Sequence, residues 1–199
     1  MGEMIKMVVV LTVLSTISGW SLAGLKDFTA PLIENQEMNL VKGPAIRQIM
    51  EGADNDPAAE EFRFKITDGE VERNFFIGVF NGQANTVALE ALTTGFADKV
   101  GLVVAFNIID DTILGLGVTT HKETPGLGAN AKSDPAFAAQ FKGKGIDKPI
   151  QVTNDGGDIS ALSGATITSR AVCKGTMQAI DTYQKLKPQL LEKLKETSK

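Results

Sequence analysis

From Met7 to Leu25 the chain runs nineteen residues without a charge, MVVVLTVLSTISGWSLAGL. In a helix, at ~1.5 Å per residue, that length matches the ~30 Å hydrocarbon core of a bilayer. Lys6 stands before the run and Lys26-Asp27 after it, and Trp20 lies near its distal end, where an interfacial ring would sit. A cleaved signal peptide is the competing reading, with Ser21-Leu22-Ala23 as a small-x-small cleavage site. The run exceeds the usual signal core of about 7–15 residues, and the single preceding lysine is a meagre charge. The expectation is a retained, single-pass anchor. One nearby lysine on each side leaves orientation open.

Beyond the anchor, Ala30 to Gly52 is mostly polar, with Pro31 suited to a first helical turn. Leu32, Ile33, Met38, Leu40 and Val41 give it a partial apolar face, which Gly43-Pro44 interrupts. Two short helices or one bent one are expected, lifting a folded domain off the bilayer. Asp54 to Glu61 is acidic and reads as a solvated loop.

Strand signals dominate from Phe62 to about Val118. Phe62 to Ile66 alternates before the turn Asp68-Gly69, and Phe75 to Phe80 is an apolar run closed by Asn81-Gly82. Thr86 to Leu92 follows, with Leu89 and Leu92 expected inward. Leu102–Ile109 and Thr112–Val118 flank Asp110-Asp111 as a hairpin. Pro149 to Thr153 reads as a short strand and Asn154 to Gly157 as a tight turn. The sheet is antiparallel, with no parallel βαβ nucleotide fold. The expected class is α+β: a transmembrane helix, then a mainly antiparallel sheet with flanking helices. Its organisation is an anchor over 1–29, a helical connector over 30–60 and a folded domain over 61–199.

Charge and rare residues remove several functions. The formal net charge is -4, with lysines and arginines spread out, so a nucleic-acid surface is excluded. One cysteine, Cys173, rules out an intrachain disulfide framework, and it reads as a packed thiol. With one histidine, His121, a His-rich or multi-cysteine metal site is not expected.

Two stretches carry unusual chemistry. In Thr119 to Ala131 (TTHKETPGLGANA), Pro125-Gly126 fits the centre of a type II turn and Gly128 allows a second reversal. Asp134 is placed to cap a short helix reaching about Phe141, with Pro135 in its first turn. The second stretch, Ser163-Gly164-Ala165-Thr166-Ile167-Thr168-Ser169, looks like a turn opening a helix. Ser163, Thr166 and Thr168 compete for the cap, and the helical pattern begins at about Ala171. Unpaired N–H groups at such a start suit a phosphate. Val172, Met177, Ile180, Tyr183 and Leu186 then recur on a helix face, which Pro188 is expected to break or restart before Leu190, Leu191 and Leu194.

Together, His121-Lys122-Glu123-Thr124-Pro125-Gly126-Leu127-Gly128 and Ser163-Gly164-Ala165-Thr166-Ile167-Thr168-Ser169 resemble the two signature motifs of the FMN-binding domain family. The resemblance is strongest to the G subunits of Rnf electron-transport complexes, which are similar to the C subunits of sodium-pumping NADH:quinone oxidoreductases. Chain length, Lys122 within the first motif and Ser169-Arg170-Ala171-Val172 after the second favour the Rnf branch. The resemblance implies FMN held covalently by a phosphoester to Thr166, the threonine closing the Ser-Gly-Ala-Thr motif. Thr168 is the other nearby hydroxyl, and spacing does not separate the two. It also implies a pocket containing Ser163, Gly164, Ala165, Thr168, Glu123, Thr124, Leu127 and Gly128. Gly95-Phe96 resembles the family's glycine–aromatic step before a core strand.

The implied role is a membrane-anchored electron carrier, a subunit rather than an enzyme alone, relaying electrons between ferredoxin and NAD in an ion-translocating complex. Its implied partners are other membrane and iron–sulfur subunits, with a flavin transferase during maturation. Its domain would face the non-cytoplasmic side of the cell (inner) membrane. Neither a catalytic acid–base pair nor a metal is expected; Glu123 and His121 stay open between proton donor, tuning and plain structure. Two alternatives stand beside this reading: the equivalent quinone-reductase subunit, and an anchored binding module without redox chemistry. One departure from the family pattern is Ser160, which stands six residues before Thr166 where an aspartate is usual; Asp158 lies two residues earlier.

Overall fold

The computed structural model describes residues 2–69 and 71–197. The chain divides into two compact units, Met1–Asn39 and Leu40–Lys199.

The first unit is one helix, α1 (Gly2–Glu37). It is apolar on every side through the charge-free run, and none of its side chains is buried. The helix is long and apolar enough to cross a membrane. Its two threonines inside the run satisfy themselves: Thr12 donates to Val8 O (2.8 Å) and Thr16 to Thr12 O (2.7 Å). Such back-bonding keeps a hydroxyl paired where no water is available.

A π-helical turn (Met38–Lys42) begins at the end of the first unit and runs into the second, where α2 (Gly43–Ile49) follows. Five strands follow: β1 (Arg63–Asp68), β2 (Val71–Phe80), β3 (Gln83–Thr94), β4 (Lys99–Asn107) and β5 (Thr112–Val118). They form an antiparallel meander in the order β1-β2-β3-β4-β5, as the turn signals imply. Asn81 and Gly82 both take positive φ between β2 and β3, the turn geometry that matches strand twist. Two short helices, α3 (Asn130–Ser133) and α4 (Pro135–Ala139), lead to the long α5 (Thr166–Thr197). Asp134 caps α4 as expected, accepting from Ala136 N (2.9 Å).

Both sheet faces are covered. On one, Val172, Ile180, Tyr183, Leu186 and Leu190 of α5 pack with Phe75, Leu89, Val104 and Phe106. Cys173 is buried among them, and burial pushes its thiol up to about 12, which makes it the inert packed group anticipated. On the other face, α2 lies against β5. Gly115 and Gly117 make that approach possible: a Cβ on Gly115 would sit 3.0 Å from Ile49 O, and one on Gly117 3.3 Å from Ile49 Cγ2. Gly115→Val should therefore destabilise the second unit by about 1–3 kcal/mol through overpacking, read as a lower denaturation midpoint.

Several expectations change here. The stretch around Gly43-Pro44 is more than a spacer, since α2 covers a face of the sheet. The acidic Asp54–Glu61 segment is a clasp. Asn55 bonds Ile77 O and Val79 N at the β2 bulge, and Asp56 holds Arg47 of α2 in a bidentate pair (2.8 and 2.8 Å). Leu92 points outward and is 56% exposed. Leu89 and Ala91 face the α5 core, so strand parity sends Leu92 to the opposite side. Pro149–Thr153 forms only an isolated bridge, Val152 with Ile159. Finally, α5 runs through Pro188 without a break. Pro188 is exposed while Leu186, Leu190 and Leu194 are buried, so packing on one side outweighs a hydrogen bond lost on the watered side.

Candidate functional site

Both motif stretches meet at the N-terminal end of α5. Thr124, Pro125, Gly126 and Leu127 make the type II turn expected, with Gly126 at φ 74 and Leu127 N donating to Thr124 O (3.2 Å). Gly164 takes φ 71 in the turn before α5, and a Cβ there would touch Leu127 Cδ2 at 2.9 Å. The two motifs, some forty residues apart in the chain, are therefore in contact.

Between them lies a cleft of about 390 Å³. Glu123, Thr124, Leu127 and Gly128 line one side; Gly164, Ala165, Thr166, Ile167 and Thr168 line the other. Phe96, from the turn after β3, completes the lining. Ser163 is exposed and stands outside it, as does the half-buried His121. The motifs alone do not assign Phe96 and Ile167 to the pocket. Their only local signal is an apolar side chain in a glycine loop and at a helix start, and here Phe96, Leu127 and Ile167 are 68%, 43% and 50% exposed.

The start of α5 differs from its sequence expectation. It begins at Thr166 rather than near Ala171, and none of Ser163, Thr166 or Thr168 caps it. Ala165 precedes it and has no side-chain acceptor. Among the described residues, the N–H groups of Thr166, Ile167 and Thr168 donate no hydrogen bond; Ser169 N, to Ala165 O (3.0 Å), makes the first. Buried Ser169 shapes the turn instead, accepting from Leu162 N (2.9 Å) and donating to Ala165 O (3.0 Å). Three donors and the positive end of the helix dipole thus face the cleft unpaired.

The two threonines have different fates. Thr168 is buried and its hydroxyl donates to Glu123 Oε2 at 2.5 Å. Thr166 is half-buried, and its hydroxyl makes no hydrogen bond among the described residues. Glu123 Oε1 accepts from Phe96 N (2.9 Å) and Ala97 N (3.0 Å). Gly128 lies in a second turn, with Ala131 N donating to its carbonyl (3.0 Å), and it also supplies room: a Cβ there would lie 2.7 Å from Glu123 Oε2 and 2.7 Å from Thr168 Oγ1.

Burial opposes the charge on Glu123. The Thr168 hydroxyl and the N–H groups of Ala97, Phe96 and Asp98 outweigh it and hold the carboxyl below its ordinary value of 4.5. A carboxyl with a lowered native pKa adds stability that is complete above its unfolded value and lost as pH falls through the native one. The stability difference between wild type and Glu123→Gln should accordingly be constant at neutral pH and shrink below about pH 4.5. Thermal unfolding of the two proteins between pH 7 and 3 tests this.

Ser160 and Asp158 lie outside the cleft lining. Gln140 grips the Ser160 backbone through both amide atoms (2.7 and 3.2 Å), and Asp158 pairs with Lys144.

Residues 95–181 match the FMN-binding domain family, and that segment contains the whole cleft lining. The chain is 29% identical over 173 residues to the G subunit of the proton-translocating ferredoxin:NAD(+) oxidoreductase complex of Clostridium ljungdahlii, covering 86% of each protein. It is 30% identical over 195 residues to the G subunit of the Na(+)-translocating ferredoxin:NAD(+) oxidoreductase complex of Acetobacterium woodii, covering 91% of this chain and 92% of that one. Among crystal structures, it resembles the C subunit of the Na(+)-translocating NADH-quinone reductase of Parabacteroides distasonis, with TM-score 0.50 and 27% identity over 57% of this chain and 62% of that one. NqrC of Shewanella oneidensis shares the fold (TM-score 0.50, 24% identity, 71% of this chain and 72% of that one). The chain belongs to the G-subunit family of ion-translocating oxidoreductase complexes, as a flavoprotein with an FMN-binding domain.

Proposed function

We propose that this chain is the membrane-anchored flavin subunit of an Rnf-type complex, relaying electrons between ferredoxin and NAD through FMN bound by a phosphoester to Thr166. The observation that carries the reading is the free Thr166 hydroxyl at the mouth of the cleft, beside a Thr168 hydroxyl already committed to Glu123. The residues fit the group. A cleft of about 390 Å³ lies within the usual ~300–1,000 Å³ of cofactor sites. The three unpaired N–H groups at the start of α5 would hold the phosphate, and Phe96, Leu127 and Ile167 would shield an apolar ring system from water.

FMN, when bound, supplies the redox chemistry. The protein's own part is to bind, orient and keep the cofactor from leaving. Glu123 holds the turn at Phe96-Ala97 and the start of α5 against one another. A covalent bond suits a relay on the non-cytoplasmic face, where no free flavin pool replaces a lost cofactor. The anchor over residues 1–29, the connector over 30–60 and the FMN-binding domain over 61–199 complete the proposed organisation. Other membrane and iron–sulfur subunits are its proposed partners, with a flavin transferase loading it. Coverage of nearly the whole chain by G-subunit relatives favours this reading over the quinone-reductase counterpart.

Mass spectrometry of the full chain, co-expressed with a flavin transferase, tests the reading. A mass increase of FMN minus water on the peptide containing Thr166 is the expected result. A colourless chain of unmodified mass would favour a binding module without redox chemistry.

A further inference from the structure

Thr166 and Thr168 are the same chemical group, two residues apart, and both line the cleft. Nothing in their distance along the chain explains why one should take a flavin phosphate and the other not. What separates them is Glu123, itself only 5% exposed. Its Oε2 accepts from the Thr168 hydroxyl at 2.5 Å, while Phe96 N and Ala97 N fix its Oε1. Two glycines are shaped around it. A Cβ on Gly95 would fall 2.5 Å from Oε1, and one on Gly128 2.7 Å from Oε2. Three separate segments thus give up side chains or donate hydrogen bonds to seat a single carboxylate.

We propose that Glu123 is the residue that chooses between the two threonines at the start of α5, holding the Thr168 hydroxyl against its carboxylate so that, of the pair, Thr166 is open to an activated flavin nucleotide. The inference rests on the phosphoester reading above. In the attachment step, Thr166 Oγ1 forms a bond to the flavin phosphorus and a phosphoanhydride bond of the nucleotide breaks. The departing phosphate takes the bonding electron pair, the hydroxyl proton passes to solvent, and nothing is oxidised or reduced. A hydroxyl bonded to a carboxylate can also be a nucleophile activated by a base. Two facts oppose that role for Thr168: its side chain is 2% exposed, and the backbone donors on Glu123 make the carboxylate a weak base.

The experiment is co-expression of full-length variants with a flavin transferase, followed by mapping of the flavin-bearing residue by tandem mass spectrometry. Wild type should carry the label on Thr166 and the Thr166→Ala chain none. Removing the lock should transfer reactivity: Thr166→Ala with Glu123→Ala should be labelled on Thr168. With Thr166 present, Glu123→Ala should raise the Thr168 share by about tenfold or more, the scale set by loss of a charge-assisted hydrogen bond. Gly128→Ala keeps the carboxylate but intrudes between it and Thr168, and should do the same if Glu123→Ala does not fold. Glu123→Gln, whose amide oxygen still accepts from Phe96 N and Ala97 N while its amide N–H donates to the Thr168 oxygen, should keep Thr168 engaged and move the label less than Glu123→Ala does. A purely structural Glu123 would change yield without moving the label. Folded double variants that remain unlabelled, or a label that stays on Thr166 in both Glu123→Ala and Gly128→Ala, would overturn the inference. An unlabelled wild type defeats the phosphoester reading instead.

Discussion

Thr166→Ala should abolish covalent flavin altogether: the denatured full-length chain, run on a gel, should lose all fluorescence under ultraviolet light. The effect is expected to be complete because, of the two threonines at the start of α5, the variant removes the one whose hydroxyl is free while leaving the cleft walls in place. Alanine is also the better helix former, so α5 keeps its first turn. Thr166→Ser restores an oxygen at the same position and should restore fluorescence. Thr168→Ala should leave the flavin attached, because the Thr168 hydroxyl serves Glu123 and not the cofactor. Fluorescence that survives Thr166→Ala and disappears in Thr168→Ala would reverse the assignment.

Tyr183→Ala should produce the largest loss of stability, about 3–5 kcal/mol, the usual cost of truncating a buried aromatic side chain. Tyr183 is fully buried, with its ring stacked on Phe106 at 4.6 Å. Its hydroxyl donates to Asp111 Oδ1 (2.7 Å), and Lys187 bonds both oxygens of the same carboxylate (2.6 and 2.6 Å). The truncation opens a cavity beside β4 and strips one donor from Asp111 at the tip of the β4–β5 hairpin. Tyr183→Phe isolates the hydroxyl and should cost less, about 1.5–3 kcal/mol for a bond to a charged acceptor. Chemical denaturation of the detergent-solubilised chain separates the two. Because α5 begins at Thr166, the alanine variant should also load flavin poorly, whereas a stable Tyr183→Phe should load normally. Equal losses for both variants would mean that ring packing contributes little.

Much of the architecture is legible in the sequence because it depends on short-range patterns. A nineteen-residue apolar run needs no tertiary partner to be recognised. The strands β1 to β5 announce themselves through apolar runs and turn residues, so an antiparallel meander follows from the order of the text. The helical spacing of Val172, Ile180, Tyr183 and Leu186 likewise marks the buried face of α5. Even the cleft is largely present as two motifs, although the pocket residues expected from them omit Phe96 and Ile167 and include Ser163, which lies outside it.

The positions where sequence and structure part share a cause. Apolar character alone puts Leu92 inward, yet strand parity is set by Leu89 and Ala91 against α5. Pro188 signals a break locally, but the leucines on the opposite side of the helix hold it together. Gly115 and Gly117 look like strand defects until α2 is seen against them.

By itself, then, the sequence determined the long apolar helix, the antiparallel sheet, the packed face of α5 and the two stretches that line the cleft. Each is written in neighbouring residues through charge, periodicity or turn geometry. Tertiary structure alone decided which of two threonines is free. That choice depends on a hydrogen bond between residues 45 positions apart, made possible by the missing side chain of Gly128, and no local pattern encodes it.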